Sequence, residues 1–457
     1  MNVLLVVFDA LGAARASCLG YGKPTTPNLD ALAAEGALFK RHVTSDLPAQ
    51  ASFTALFTGS PGIATGVVTR RLDAFPPATA PWLPEAFAKA GFRTAASSPL
   101  TCDQPYFARG FLEFHDPAAG RPDAPRLATT AATTTEWALS WLERRPKDDP
   151  FFLFLHYYDP HAPYLVDDPE RAWDFYEKDP ADATDSENAS LDECRHHVLG
   201  DFQREHLKLV AGHVGLAGEV TDLDFVVAQH DACVRQADEG LGKVVDALAA
   251  RDLLDDTLVV VTADHGESMG EHVAYFNHCG VYQHDVYVPL VCRLPDLFPK
   301  VEIDAVTQSI DVAPTIADAV VRVTGRASES LSVAATTHGT SLLPLAKGAT
   351  KEGHDNAFAS QGYWTAKRCI LRDGRWKLVH TFDESFWPVP EYELFDLEVD
   401  PGERTNVANE KPEMVAELRV YLVNWESKML RGKLERDPLR KVAREGVPAR
   451  SRLFGGH

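Results

Sequence analysis

Several short stretches of the chain are almost continuously apolar, and they predict strands buried on both faces of a sheet. They cover residues 2–8, 151–156, 258–261 and 286–292. Apolar runs of this length are typical of parallel strands that are covered by helices on both sides. Helices are predicted between them over residues 26–36, from near residue 49, over residues 82–90 and over residues 228–250. The alternation predicts an α/β fold with a central, mostly parallel sheet flanked by helices.

The last quarter of the chain has a different pattern. Residues 369–379 form a predicted hairpin with Asp-Gly at its turn, and a further strand and a closing helix are expected at 393–397 and 412–425. A Ser-, Thr-, Ala- and Gly-rich stretch over residues 324–353 precedes this region. We therefore predict an α/β domain over residues 1–350, a small C-terminal α+β subdomain over residues 351–430 and a basic tail over residues 431–457.

Two segments leave alternatives open. The polar and acidic residues near 165–225 are expected to be an insertion, either a lid over the sheet edge or a solvated spacer. The basic tail is expected either to pack on an acidic surface of its own or a neighbouring subunit, or to be disordered.

Composition narrows the range of partners. The net charge of -21 argues against nucleic acid or an anionic membrane as a partner, and an anionic substrate would need a local positive centre such as a metal ion. No apolar run approaches the roughly 20 residues of a membrane helix. The 7 cysteines are scattered without CxxC spacing, and the first strand follows Met1 without a basic leader. These features predict a cytoplasmic protein.

Metal-ligating side chains follow the predicted strands. Asp9 ends the first strand, and Asp264 and His265 end the valine-rich strand. Because the carboxyl ends of parallel strands meet at one edge of a sheet, these three side chains are expected to share a divalent cation. One cation would also offset the repulsion between the two carboxylates. Strand-end residues that merely cap a turn are the alternative. Asp159 and His161 follow the strand at 151–156 in the same way.

Eight segments, in order along nearly the whole chain, resemble the sulfatase family of the alkaline phosphatase superfamily. They are residues 2–9, 26–36 (TPNLDALAAEG), 56–59, 156–164, 255–267 (DDTLVVVTADHGE), 286–290 (VYVPL), 311–315 (DVAPT) and 393–406 (ELFDLEVDPGERTN). The resemblance implies an alkaline-phosphatase-like sandwich and a hydrolase of sulfate, phosphate or phosphonate esters. It also implies a divalent cation (Ca, Mn or Zn) at Asp9, Asp264 and His265. His161 and His278 match positions that contact the ester group, bind a second metal or protonate the leaving oxygen.

Three positions depart from the family pattern. Formylglycine sulfatases carry Cys or Ser at the nucleophile position, which falls here at Ala49, and a methyl group cannot attack. The arginine four residues on falls at Phe53, and the second N-terminal aspartate falls at Ala10. Relatives with Thr at the nucleophile position act on phosphate diesters or phosphonates, and residues 48–52 are closer to that pattern. Ser45 and Ser52 are further hydroxyls near this position.

Three interpretations follow. The first is a metal-dependent hydrolase of sulfate, phosphate or phosphonate esters, similar to arylsulfatases or phosphonate monoester hydrolases, in which Ala49 marks an inactivated variant. The second is a two-metal phosphodiesterase that uses metal-bound hydroxide, with Asp159, His161 and His278 on the second ion. The third is a non-catalytic, anion-binding pseudoenzyme. In each case we expect a small anionic ester as the ligand, and a homo-oligomer is a candidate assembly.

Overall fold

The computed structural model describes residues 1–71, 73–102, 104–119, 129–185, 201–216, 220–325, 331, 337–385 and 388–449, and the account below concerns these residues. The strands are β1 (Asn2–Phe8), β2 (Ala37–Val43), β3 (Asp46–Leu47), β4 (Arg93–Ser97), β5 (Glu113–His115), β6 (Phe151–Tyr157), β7 (Thr257–Ala263), β8 (Ser268–Met269), β9 (Tyr275–Asn277), β10 (Tyr287–Val288), β11 (Leu290–Arg293), β12 (Val301–Gln308), β13 (Asn356–Gln361), β14 (Ala366–Arg372), β15 (Trp376–Asp383) and β16 (Tyr392–Asp396). The helices are α1 (Pro27–Glu35), α2 (Ala49–Thr58), α3 (Gly62–Thr65), α4 (Leu83–Lys89), α5 (Ala131–Arg144), α6 (Asp201–His213), α7 (Leu223–Ala249), α8 (Gln283–Val286), α9 (Val312–Thr324), α10 (Leu343–Ala346), α11 (Pro412–Met429) and α12 (Pro438–Glu445).

The main sheet has the strand order β10-β2-β11-β7-β1-β6-β4-β5, with β12 paired to β2. Strands β7, β1, β6, β4 and β5 run parallel to one another, as the apolar runs predict. Phe8 is level with Tyr157 on one side and with Ala263 on the other. The chain therefore leaves β1, β6 and β7 at the same edge of the sheet.

Helices cover the sheet on both faces, and each face has its own apolar layer. On one face, α2, α4 and α9 contribute residues such as Phe57, Phe87 and Ile316 to the core. On the other face, α1, α5 and α7 contribute residues such as Leu32, Trp141 and Leu241. A sheet covered in this way explains why β1, β6 and β7 are buried at every position. The predicted α/β class is confirmed.

Residues 286–292 do not form the single strand that their composition predicts. Residues 283–286 form the helical turn α8, and Pro289 separates β10 from β11. A proline has no N–H to give to a sheet, so it interrupts the strand there. β10 and β11 are antiparallel to their neighbours, which makes this side of the sheet mixed.

A second sheet carries the C-terminal region. Its strand order is β16-β15-β14-β13-β3, so one short strand from the N-terminal part of the chain belongs to it. The predicted hairpin is present, with Asp373 at φ 52° and Gly374 at φ 68°. Arg372 pairs with Trp376, so residues 373–375 form the turn, and positive φ at the first two of them suits the Asp-Gly pair.

The described part of the basic tail packs against its own chain. Buried Arg368 on β14 places Nη1 2.6 Å from Glu426 Oε1 of α11 and 2.7 Å from Asp437 Oδ2, which precedes α12. Leu439 and Val442 of α12 are buried beside this network. As far as residue 449 the tail is therefore packed on its own chain. Residues 450–457 lie outside the described residues.

The described part of the insertion is also packed. Tyr164, Phe175 and Phe225 belong to one buried apolar cluster that joins residues 162–183 to the start of α7. A merely solvated spacer would not bury these side chains, whereas the lid role stays a prediction. In the described residues, no helix is long and apolar enough to cross a membrane.

Candidate active site

Three ligand-type side chains meet where β1 and β7 end. Asp9 directly follows β1, and Asp264 and His265 directly follow β7. Their ligand atoms lie within 4.8 Å of one another. His265 Nε2 is 3.3 Å from Asp264 Oδ2 and 3.8 Å from Asp9 Oδ1. The structure therefore brings together the three residues that the strand ends predict.

The hydrogen bonds around His265 fix its tautomer. Nδ1 lies 2.9 Å from the carbonyl oxygen of Gly266. A carbonyl only accepts, so Nδ1 carries the hydrogen and donates it. Nε2 then keeps its lone pair, and it is the atom that faces the two carboxylates. This is the form in which an imidazole binds a metal ion.

In each of the two carboxylates, hydrogen bonds hold one oxygen and leave the other without a partner among the described residues. Asp9 Oδ2 lies 3.1 Å from His156 Nε2, and His156 Nδ1 lies 3.0 Å from the hydroxyl of Ser98. Asp264 Oδ1 accepts the backbone N–H groups of Ala10 and His265 at 3.1 and 2.8 Å. Among the described residues, Asp9 Oδ1, Asp264 Oδ2 and His265 Nε2 have no hydrogen-bond partner. Such atoms are costly to bury unless a cation meets them, so the residues present fit a divalent metal ion.

Their surroundings shift the pKa values of the Asp9 and Asp264 carboxyls in opposite directions. Burial opposes ionisation of Asp9, but His161, His156 and His265 hold the pKa of its carboxyl well below its usual range. Burial, reinforced by the charge of Asp9, raises the pKa of Asp264 well above its usual range. Two carboxylates this close do not both ionise easily without a cation between them. A bound cation would favour the ionised form of both.

The turn after the ligands depends on a glycine. A Cβ on Gly266 would overlap the carbonyl oxygen of His284. We expect Gly266→Ala to lower the free energy of unfolding by about 3 kcal/mol, because the clash is with backbone that cannot rotate away. Urea denaturation measures the change. Gly22→Ala is the control, since nothing lies within 4 Å of the added Cβ there. Equal effects of the two substitutions would contradict this account of the turn.

Ala49 is the first residue of α2, as the sequence predicts, and it is partly exposed whereas Gln50–Thr58 are buried. The neighbouring hydroxyls are engaged elsewhere. Buried Ser52 donates to the carbonyl oxygen of Asp264 at 2.7 Å, which brings the first turn of α2 to the site. Buried Ser45 lies 3.2 Å from Ser309 Oγ. Neither serine is placed as a free nucleophile.

Phe53 and Ala10 are also buried, and each has a structural role. The ring of Phe53 packs 4.6 Å from the ring of His156, so the position of the family arginine supports the partner of Asp9 instead. Ala10 has φ 57° and donates its N–H to Asp264. Its backbone therefore positions a ligand although its side chain cannot be one.

A second group of ligand-type side chains lies beside the first. It consists of His161, Glu267 and His278, whose ligand atoms are also within 4.8 Å of one another. The rings of His265 and His278 are 3.9 Å apart, and the rings of His161 and His278 are 5.7 Å apart. His161 and His278 thus lie at one site despite their separation in sequence. Burial raises the pKa of Glu267 to about 8, against the effect of His265.

Asp159 is not the carboxylate of this second group. Its Oδ1 accepts the backbone N–H of Ala131 at 2.8 Å and the side-chain amide of Gln236 at 2.6 Å, which ties it to the start of α5 and to α7. Glu267 occupies the place expected for Asp159. The sequence signal for Glu267 is a further carboxylate two residues after His265, in the same segment that follows β7.

Comparisons with known proteins agree with this architecture. The chain matches the family described as Sulfatase over residues 1–321 and the family described as N-sulphoglucosamine sulphohydrolase, C-terminal, over residues 270–428. It is 28% identical to a choline-sulfatase of Rhizobium meliloti (strain 1021) over 278 residues, which cover 58% of this chain and 48% of that protein. It is 29% identical to the multifunctional alkaline phosphatase superfamily protein PehA of Trinickia caryophylli over 322 residues, covering 65% of this chain and 59% of that protein. The aligned regions thus span about half the length of these curated relatives.

A solved structure with the same fold is the phosphonate monoester hydrolase of Agrobacterium radiobacter. The TM-score is 0.69 at 21% sequence identity, with 94% of this chain and 96% of that chain covered. The family match extends over most of the chain, and the fold is that of its structural neighbours. The chain belongs to the sulfatase family of the alkaline phosphatase superfamily.

Proposed function

We propose that the chain is a metal-dependent hydrolase of sulfate, phosphate or phosphonate esters. One observation carries the proposal: the unpartnered ligand atoms of Asp9, Asp264 and His265 converge in a buried site at the edge of the sheet. A divalent cation there would act as a Lewis acid on the oxygens of a bound ester. The net charge of -21 makes such a local positive centre necessary for an anionic substrate.

The chain's own residues have separable tasks in this proposal. Asp9 and Asp264 bring negative charge to the cation, and His156 orients Asp9 through its hydrogen bond of 3.1 Å. The ring centres of His161 and His278 lie 6.3 and 3.9 Å from that of His265, so both side chains border the same site. His161 Nδ1 lies 2.8 Å from the carbonyl oxygen of Ala162, so Nδ1 carries the hydrogen and Nε2 is the atom that can accept or deliver a proton.

The substrate is expected to be a phosphorus ester more readily than a sulfate ester. No cysteine or serine stands at position 49 to become a formylglycine, and Phe53 leaves the family arginine absent. One relative is named a multifunctional alkaline phosphatase superfamily protein, and one structural neighbour is named a phosphonate monoester hydrolase. Both names are compatible with a phosphorus ester as the substrate. The cytoplasmic location and a homo-oligomeric assembly stay predictions from the sequence.

Steady-state hydrolysis tests the proposal. The purified chain is assayed with Ca²⁺, Mn²⁺ or Zn²⁺ on a 4-nitrophenyl sulfate, a bis-nitrophenyl phosphate and a phosphonate monoester. We expect metal-dependent turnover of at least one ester, with the phosphorus esters preferred. Tight binding of a phosphonate without turnover, in the chain as written and with a hydroxyl restored at position 49, would instead indicate the anion-binding pseudoenzyme.

His278→Ala should lower the rate of hydrolysis most for esters with poor leaving groups. An alkoxide needs a proton or a cation when its bond to phosphorus breaks, whereas a nitrophenolate leaves readily without one. We expect the rate on an alkyl ester to fall at least about 10²-fold more than the rate on the nitrophenyl ester. The ratio of kcat/KM values for the two esters measures this. Equal losses on both would mean that His278 does not assist the leaving oxygen.

A further inference from the structure

The loop of His278, residues 264–282 between β7 and α8, is tied to the second sheet through its last residue, Tyr282. The buried Tyr282 hydroxyl donates to the carboxylate of Glu393 on β16, at 3.1 Å to Oε1 and 2.9 Å to Oε2. It accepts a hydrogen bond of 2.9 Å from Nζ of Lys367 on β14. Burial, reinforced by the charge of Glu393, raises the pKa of the phenol well above its usual range, so the hydroxyl keeps the proton that it donates.

Tyr282 also holds an earlier part of the loop. The ring of His272 stacks on the ring of Tyr282, with 3.7 Å between the ring centres and 5° between the planes. His272 has φ 52°, a left-handed conformation that a residue with a side chain rarely adopts. Such a conformation persists only where surrounding contacts impose it, and the stack is one of these contacts.

The main chain beside His278 packs against the same ring. A Cβ on Gly280 would lie 2.5 Å from Cδ2 of Tyr282, so the backbone two residues after His278 is in direct contact with it. On its other neighbour, the carbonyl oxygen of His278 accepts the side-chain amide of Gln361 at 2.6 Å. The His278 ring lies 3.9 Å from the ring of His265, so a shift of this backbone changes the geometry of the site. A displacement of about 1 Å can cost on the order of 10²-fold in rate.

The charges around the phenol favour a role in geometry over a role in stability. Lys367 and Glu393 are both buried, and Nζ lies 3.7 Å from Oε2. A buried ion pair contributes little net stability, because desolvation offsets the attraction between the charges. It does impose a fixed arrangement, since both charged groups must keep a polar partner, and here they share the Tyr282 hydroxyl.

We propose that Tyr282, held between Lys367 and Glu393, is a positioning residue that sets the orientation of the His278 imidazole. Its effect on turnover rests on the proposed function, in which His278 assists the leaving oxygen. The orientation of the ring does not depend on turnover and is measured separately.

Tyr282→Phe tests the inference, because it keeps the ring and its stack but removes the hydroxyl. The value of kcat/KM should fall at least about 10-fold more on an alkyl ester than on the nitrophenyl ester. A residue that only supports the fold would lower both values alike. NMR of the ¹⁵N-histidine-labelled chain in a Zn²⁺-containing buffer gives a readout without turnover. The imidazole signal of His278, identified by its absence in His278→Ala, should shift in Tyr282→Phe.

Tyr176→Phe is the matched control. The buried Tyr176 hydroxyl donates to Asp222 Oδ2 at 2.7 Å, and Lys178 Nζ donates to the same oxygen at 2.7 Å. This variant therefore also removes a phenol that is bonded to a carboxylate beside a lysine, but in the insertion. It should leave the His278 signal and the ratio of the two esters unchanged.

Lys367→Met is a second variant for the case that Tyr282→Phe does not fold by circular dichroism. It removes the donor to the phenol but keeps the hydrogen bond from Tyr282 to Glu393, so the His278 signal should move in the same direction by a smaller amount. An unchanged His278 signal in both variants would overturn the inference. An equal shift in Tyr176→Phe would also overturn it.

The remaining outcomes separate this inference from the proposed function. A shifted His278 signal in a chain that hydrolyses no ester would support the positioning role and contradict the proposed hydrolase. Hydrolysis with the signal unchanged would do the reverse. Equal losses on the two esters in Tyr282→Phe, where His278→Ala does separate them, would overturn the positioning role.

Discussion

Ala49→Thr should raise the rate of ester hydrolysis by at least about 10³-fold, because removing a nucleophile commonly costs several orders of magnitude. Ala49 begins α2, and the first turn of that helix contacts the backbone of Asp264 through Ser52. A hydroxyl at this position would be close to the cation that Asp9 and Asp264 are proposed to hold. Free backbone N–H groups at a helix start also favour an anion there. Steady-state kcat on the phosphorus esters measures the gain.

Ala49→Val is the control for this prediction. Valine has nearly the shape of threonine but no hydroxyl, so it reproduces the change in volume and in helix propensity without the chemistry. Position 49 is partly exposed, and both side chains can be accommodated there. An equal gain with valine would show that shape, not nucleophilic attack, limits the rate. Full activity of the chain as written, unchanged by threonine, would indicate that water attacks directly.

Asp264→Asn should remove the first cation and abolish hydrolysis. The substitution keeps the hydrogen bonds that Oδ1 accepts from Ala10 and His265, yet it removes the charge that faces His265 Nε2. Measured in the Ala49→Thr background, kcat/KM should fall roughly 10³-fold or more, since a catalytic cation supplies several kcal/mol. Elemental analysis of the same sample should show the loss of one equivalent of metal.

Asp256→Asn provides the comparison for Asp264→Asn. Asp256 is exposed and precedes the opposite end of the same strand, β7, so it should change neither metal content nor rate. Metal that remains fully bound in Asp264→Asn would contradict the assignment of Asp264 as a ligand, whatever the effect on the rate.

The first group of the site follows from the sequence because strand direction determines it. Runs of valine and leucine mark β1 and β7, and parallel strands deliver the residues after them to one edge, so Asp9, Asp264 and His265 are found without coordinates. The complete burial of β1 and β7 follows from the same apolar runs. α2 begins at Ala49, as the pattern predicts.

The second group could be predicted only in part, because distant backbone decides it. Asp159 follows β6 in the way that Asp9 follows β1, yet the N–H of Ala131, 28 positions away, draws its carboxylate to the start of α5. The sequence around Asp159 does not predict this contact. Glu267 is instead the carboxylate beside His161 and His278. It is placed there by a turn whose shape depends on the close approach of Gly266 to His284. The break of the predicted strand over residues 286–292 lies at Pro289, whose missing N–H is a signal present in the sequence itself.

The short strand β3 has a consequence for how the chain can be divided. It lies just before Ala49, pairs in parallel with β13, and β13 provides Gln361, whose amide holds the loop of His278. Thr365 fixes the next residue of that loop through the carbonyl oxygen of Cys279. The C-terminal sheet is thus not an exchangeable module. Grafting it from a relative, or expressing residues 1–350 alone, would displace both the segment before Ala49 and the loop of His278. Recombination between members of this family should therefore succeed only where both partners of the β3–β13 pair are inherited from the same parent.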